Sequence, residues 1–124
     1  MLQFWMEAHA RCKEVLSGTR KLYPLCRQGD LYLARVELEK LRIPVQRYRE
    51  LFGDSVGVAS DNPLSVIALS ASLIASVSGW EAVKSALAYH PELLTDIAKR
   101  WNISLELVSV SLKSAIQKEK APYN

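Results

Sequence analysis

Apolar residues recur every three or four positions along almost the whole chain, and nowhere do they alternate with polar ones long enough to build a strand. Leu2, Trp5, Met6, His9, Cys12 and Leu16 make one such stripe. Leu31, Ala34, Leu38, Leu41 and Val45 make a second, and Leu105, Val108, Leu112 and Ile116 a third. A period near 3.6 puts these residues on one face of an α-helix, whose apolar side must then be covered by another helix. The pattern predicts an all-α fold, a single-domain helical bundle of about five to six helices.

Punctuation residues suggest where those helices begin and end. The first should end near Gly18. The second should start after Gly29 with Asp30 as its cap, and Pro44 should kink or break it before it continues through Arg47, Tyr48, Glu50 and Leu51 to Gly53. Residues Gly53 to Asn62 read as a loop. Asn62-Pro63 then opens a helix from Leu64 to Val77 with no charge on any face, which must be surrounded. Its stripe of Leu64, Ile67, Ala71, Ile74 and Val77 is the expected core. Ser78 with Glu81 reads as a capping box for Trp80 to Tyr89. Pro91 restarts the chain for Leu93 to Trp101, and Ser104 caps a last helix. The organisation is one domain over 1–124, with a basic helical half (1–53), an apolar helical half (62–117) and a polar tail (118–124).

With 124 residues, the chain can bury roughly two thirds of the surface that its unfolded form exposes. Its two cysteines, Cys12 and Cys26, form no CxxC pair, which fits free thiols in the cytoplasm. The apolar start is interrupted by Glu7, His9, Arg11 and Lys13 before a secretory stretch could form. The uncharged run from Asn62 to Trp80, broken by Pro63 and Gly79, is too short to span a bilayer, so no membrane partner is expected. His9, Cys12, Cys26 and His90 lack the paired spacings of a zinc site. Neither a nucleophile motif nor a phosphate-binding glycine loop is present. These features point to a protein that is not an enzyme and has no metal, no cofactor and no small-molecule substrate.

The charge is distributed unevenly. Residues 1–54 carry ten Lys/Arg against seven Asp/Glu, whereas residues 55–124 carry six against six. Arg35, Arg42 and Arg49 are seven apart, so on a helix they drift only about 20° per step. With Arg20, Lys21, Arg27 and Arg47 they form the candidate nucleic-acid-binding set, because guanidinium groups pair well with phosphate oxygens. Tyr23, Tyr32 and Tyr48 are interleaved and could stack on unpaired bases. The competing explanation is a solvated surface neutralised by neighbours, such as Arg35 with Glu39.

Residues 96–112 resemble a helix-turn-helix pattern. Ala98 stands at the small contact position, Asn102 at the turn, Ile103 after it, and Val108 and Leu112 on the buried side of the second helix. A DNA-binding regulator using residues 93–113 is therefore an alternative reading. Its groove-facing positions, Ser104, Leu105, Glu106, Ser109, Val110 and Lys113, are poor in base-reading groups.

In size, helical class, mild basicity and lack of a catalytic set, the whole chain resembles the small helical subunit of CRISPR surveillance complexes of the Cascade type. That resemblance implies a helical bundle in a larger ribonucleoprotein. It would bind nucleic-acid backbone without cutting it, beside other protein subunits and possibly copies of itself. It also implies that Arg35, Arg42, Arg49 and their neighbours are backbone contacts, and it suits a chain that starts inside a helix at an internal translation start. DNA and RNA, single and double strand, stay open, as does a purely structural adaptor.

Overall fold

The apolar period that begins at Leu2 does not stop at Gly18. In the computed structural model, which describes residues 2–55 and 78–120, helix α1 runs unbroken over Leu2–Gln28. Gly18 is a notch rather than a stop. A Cβ there would lie 2.0 Å from Leu41 Cδ2, so the absent side chain is what lets Leu41 pack onto α1. Pro24 sits inside the helix and removes one amide donor near its end. The real terminus is Gly29, at φ 77°. There the Gly29 N–H donates to the Cys26 carbonyl (3.1 Å) and the Asp30 N–H to the Leu25 carbonyl (3.0 Å), the crossed pair of a Schellman cap.

Asp30 caps α2 (Leu31–Lys40) as expected, its Oδ1 accepting from the Leu33 N–H at 3.1 Å. The break caused by Pro44 falls one turn upstream of the proline. Pro44 lacks the N–H that would reach the Lys40 carbonyl, and its ring crowds that oxygen, so α2 ends at Lys40. Helix α3 (Arg42–Ser55) follows after Leu41 and continues past Gly53. The rest of the expected loop, the charge-free helix Leu64–Val77 with its core stripe, and residues 121–124 lie outside the described residues.

Residues 78–89 form helix α4, already helical at Ser78, so the expected Ser78–Glu81 capping box does not open it. Gly79 is a second notch, in which a Cβ would lie 2.0 Å from Trp101 Cδ1. Trp80 donates its indole N–H to the Leu38 carbonyl at 3.0 Å and so serves one of the terminal acceptors of α2. Pro91–Leu93 make a single 3-10 turn, and α5 then runs as one helix over Leu94–Lys120.

This continuity overturns the helix-turn-helix geometry. No turn forms at Asn102, where the backbone is helical and the side chain is engaged across the helix pair. The expected separate helices of 93–101 and 104–116 are one, and the tail is helical through Lys120. Among the described residues the all-α expectation holds, with the first and last helices longer than the punctuation suggested.

One core joins both halves of the sequence. Trp5, Cys12, Val15 and Leu22 of α1 meet Leu94, Ala98, Leu105 and Leu112 of α5. Leu38, Val45 and Tyr48 close one side, and Trp80, Val83 and Leu87 belong to the same cluster. Helices α1 and α5 are antiparallel, since Thr95 meets Cys26 near one end and Ser109 meets His9 near the other.

Candidate nucleic-acid interface

The expected binding residues divide between two surfaces. Arg35 lies on α2 and Arg42, Arg47 and Arg49 on α3, all exposed, so the break at Leu41 interrupts the seven-residue track. Acids of the same helices stand among them. Arg42 pairs with Glu39 and Lys40 with Glu37, both three residues apart, and Gln46 donates to Glu50. Arg35 forms no ion pair with Glu39, which is taken by Arg42. The surface is partly self-neutralised: Lys40 and Arg42 are taken up in local pairs, whereas Arg35, Arg47 and Arg49 have no ion-pair partner among the described residues.

Arg20, Lys21 and Arg27 are exposed on α1. Arg20 approaches Glu106 of α5 at 3.6 Å. The tyrosines do not behave as a set: Tyr48 is fully buried and unable to stack on a base, Tyr23 is half-buried, and Tyr32 alone projects, at 74 % exposure.

The α1–α5 seam is organised by polar contacts that bridge distant parts of the chain. The buried Thr19 hydroxyl lies 2.8 Å from Asn102 Oδ1 and 2.9 Å from the Leu16 carbonyl, and its single proton serves one or the other. Asn102 donates to Glu106 at 3.4 Å. Toward one end, His9 Nε2 and Ser109 Oγ are 3.3 Å apart, and toward the other Thr95 donates to the Cys26 carbonyl at 3.1 Å. Burial holds the His9 pKa below its ordinary value, and the nearby Lys13 and Lys113 ammonium groups push it the same way. Lys13, Lys113 and His9 therefore share one neighbourhood. Lys99 falls between Thr95 and Asn102 at helical spacing, on the stripe that meets α1.

Sequence reasoning does not single out Lys99, which lies in the neutral half of the sequence, and it places Glu106 and Lys113 only at groove-facing positions of the helix-turn-helix alternative. Lys13, Arg20 and Arg27 repeat the seven-residue spacing of the other arginine row, and that signal was present in the sequence.

The thiols are in the core. Burial pushes Cys12 up to about 11, against the opposing effect of a hydrogen bond with Tyr48, and burial likewise raises Cys26 to about 11. Cys12 lies 3.7 Å from the Leu105 carbonyl, whereas His9 faces Ser109, so the two do not converge on a common point. Among the described residues no three His, Cys, Asp or Glu side chains gather as a metal site. Three surface hollows, beside Trp101, beside Trp80 and beside Gln46, contain neither a His nor a Cys. Among the described residues no helix is long and apolar enough to cross a membrane.

Comparison with protein-family models, curated proteins and solved structures yields no match. The functional reading is carried by the chain's own chemistry.

Proposed function

We propose that this chain is a non-catalytic subunit that binds the backbone of a nucleic acid within a larger ribonucleoprotein, of the CRISPR surveillance kind that its size, helical class and charge resemble. The observation that carries this reading is a set of exposed cations without acidic partners. Lys21, Arg27, Arg35, Arg47 and Arg49 all face solvent, and none has a carboxylate within ion-pair distance among the described residues. Unpaired cations of this kind attract phosphates and release their counterions, which gives affinity without sequence preference.

The regulator alternative loses its main support in the unbroken α5, because a reading helix must be set at an angle to its partner to enter the major groove. A structural adaptor is the remaining alternative.

Titration of the full chain with short labelled duplexes of unrelated sequence tests the proposal. Binding should be equal across sequences and should weaken steeply between about 50 and 200 mM salt. If neither the protein nor the assembly that co-purifies with it binds nucleic acid at low salt, the adaptor reading replaces this one.

A further inference from the structure

We infer that the polar seam between α1 and α5 is the phosphate-binding track for that nucleic acid, gripping the backbone at two cationic ends. This rests on the proposed nucleic-acid function and assigns the site within it.

Lys13, Arg20 and Arg27 lie seven residues apart on α1 and are all exposed. One contact and the helical spacing place the row beside α5: Arg20 approaches Glu106 at 3.6 Å, and Lys13 and Arg27 stand two turns to either side of Arg20 on the same stripe, near the ends marked by the His9–Ser109 and Cys26–Thr95 contacts. The facing row is Lys99 and Lys113, also exposed and also fourteen residues apart in the sequence. At about 1.5 Å per residue each row spans about 21 Å. Because the helices are antiparallel, Lys113 stands with Lys13 at one end, and Lys99 falls toward Arg27 at the other.

Along the stripe formed by Lys13, Arg20 and Arg27 with Lys99, Glu106 and Lys113, the acid is Glu106, and Arg20 is already committed to it. The centre is therefore near neutral and the positive potential collects at the two ends. A flexible polyanion fits such a pattern better than a single compact anion, which would occupy one end only.

Between the rows lie His9, Asn102 and Ser109, partly exposed imidazole, amide and hydroxyl groups able to meet phosphate oxygens, above the buried Thr19, whose hydroxyl is bonded within the seam. This polar floor also separates the site from a lipid-binding surface, where cations flank an apolar face rather than a hydrogen-bonding one. Sequence spacing alone favoured the Arg35–Arg42–Arg49 row, but acids are interspersed there and the α1–α5 seam holds less opposing charge.

The test uses the full chain with a labelled DNA duplex and, separately, an oligouridine strand. One variant carries Lys13→Gln, Arg27→Gln, Lys99→Gln and Lys113→Gln. A second carries Arg35→Gln, Arg47→Gln and Arg49→Gln, and a third is Glu106→Gln alone. The seam variant should lose at least about tenfold in affinity at low salt, with its salt slope shallower by about three to four units. Glu106→Gln should bind severalfold tighter than the unaltered protein. This gain keeps the test decisive even if the fourfold variant folds poorly, which its helical circular dichroism would reveal.

If the second variant abolishes binding while the seam variant and Glu106→Gln leave it unchanged, the seam assignment is wrong and the nucleic-acid reading stands. Absence of binding by the unaltered protein and its assembly overturns both. Seam-dependent binding to phosphatidylserine vesicles, with none to either nucleic acid, would make the occupant a membrane and overturn the inference.

Discussion

The α2–α3 surface and the α1–α5 seam each display five cations, and they differ in the acids that accompany them. Between Asp30 and Glu50, the residues Arg35, Lys40, Arg42, Arg47 and Arg49 share two short helices with Asp30, Glu37, Glu39 and Glu50. The ion pairs there are local, three residues apart. On the seam, Lys13, Arg20, Arg27, Lys99 and Lys113 come from the two ends of the chain and surround Glu106. Short-range neutralisation is easy within one helix because carboxylates three or four positions away are always within reach. A surface assembled from distant segments is affected less: Arg11 pairs with Glu14 within α1 and Arg100 with Asp96 within α5, whereas Lys13, Lys99 and Lys113 stay unpaired among the described residues. The spacing of like charges in a sequence therefore says less about the field outside a protein than the fold that gathers them.

The comparison also has an energetic side, which four substitutions can break or sharpen. The seam rests on buried packing, so Leu105→Ala, at a fully buried position opposite Cys12, should cost about 2 to 5 kcal/mol in denaturant melts. An unchanged midpoint would mean that the helix pair is not the central support.

The α2–α3 segment is seated on α1 through a notch instead. Gly18→Val should cost about 1 to 3 kcal/mol by colliding with Leu41. In a Leu41→Ala background the same change should cost markedly less, and equal costs in the two backgrounds would dissociate the glycine from that contact.

Asn102→Gly separates a continuous helix from a turn. Within α5 it should destabilise by about 1 kcal/mol, a few tenths of it from helix propensity and the rest from losing the amide's contacts with Thr19 and Glu106. A neutral or stabilising result would restore the turn.

The smallest effect belongs to the partly self-neutralised surface. Glu39→Gln removes the partner of Arg42, yet both side chains are more than half exposed, so thermal stability should change by less than about 0.5 kcal/mol.

Much of the fold was legible because it depends on neighbours in sequence. The Asp30 cap, the interruption caused by Pro44, the restart at Pro91 and the burial of Cys12 all follow from periodicity or from backbone chemistry within a turn or two. The misreadings share a different cause. Gly18 and Gly79 look like helix breakers when only chain entropy is considered, but each is required by a side chain far away in sequence, Leu41 in one case and Trp101 in the other. Asn102 has the backbone tolerance of a turn residue and is used for its amide. The candidate interface was half legible for the same reason. The arginine rows were visible, whereas the pairing of Lys13 with Lys113 needs the antiparallel register of α1 and α5.

Cys12 and Cys26 lie beneath opposite halves of that helix pair, one against the Leu105 carbonyl and the other at the residue whose carbonyl receives Thr95. With both thiols shielded and raised to about 11, alkylation at neutral pH must wait until the surrounding structure opens. The molecule thus carries two internal clocks. Their relative rates under a thiol reagent report which end of the seam breathes first, and a bound polyanion that clamps both ends would slow the two together.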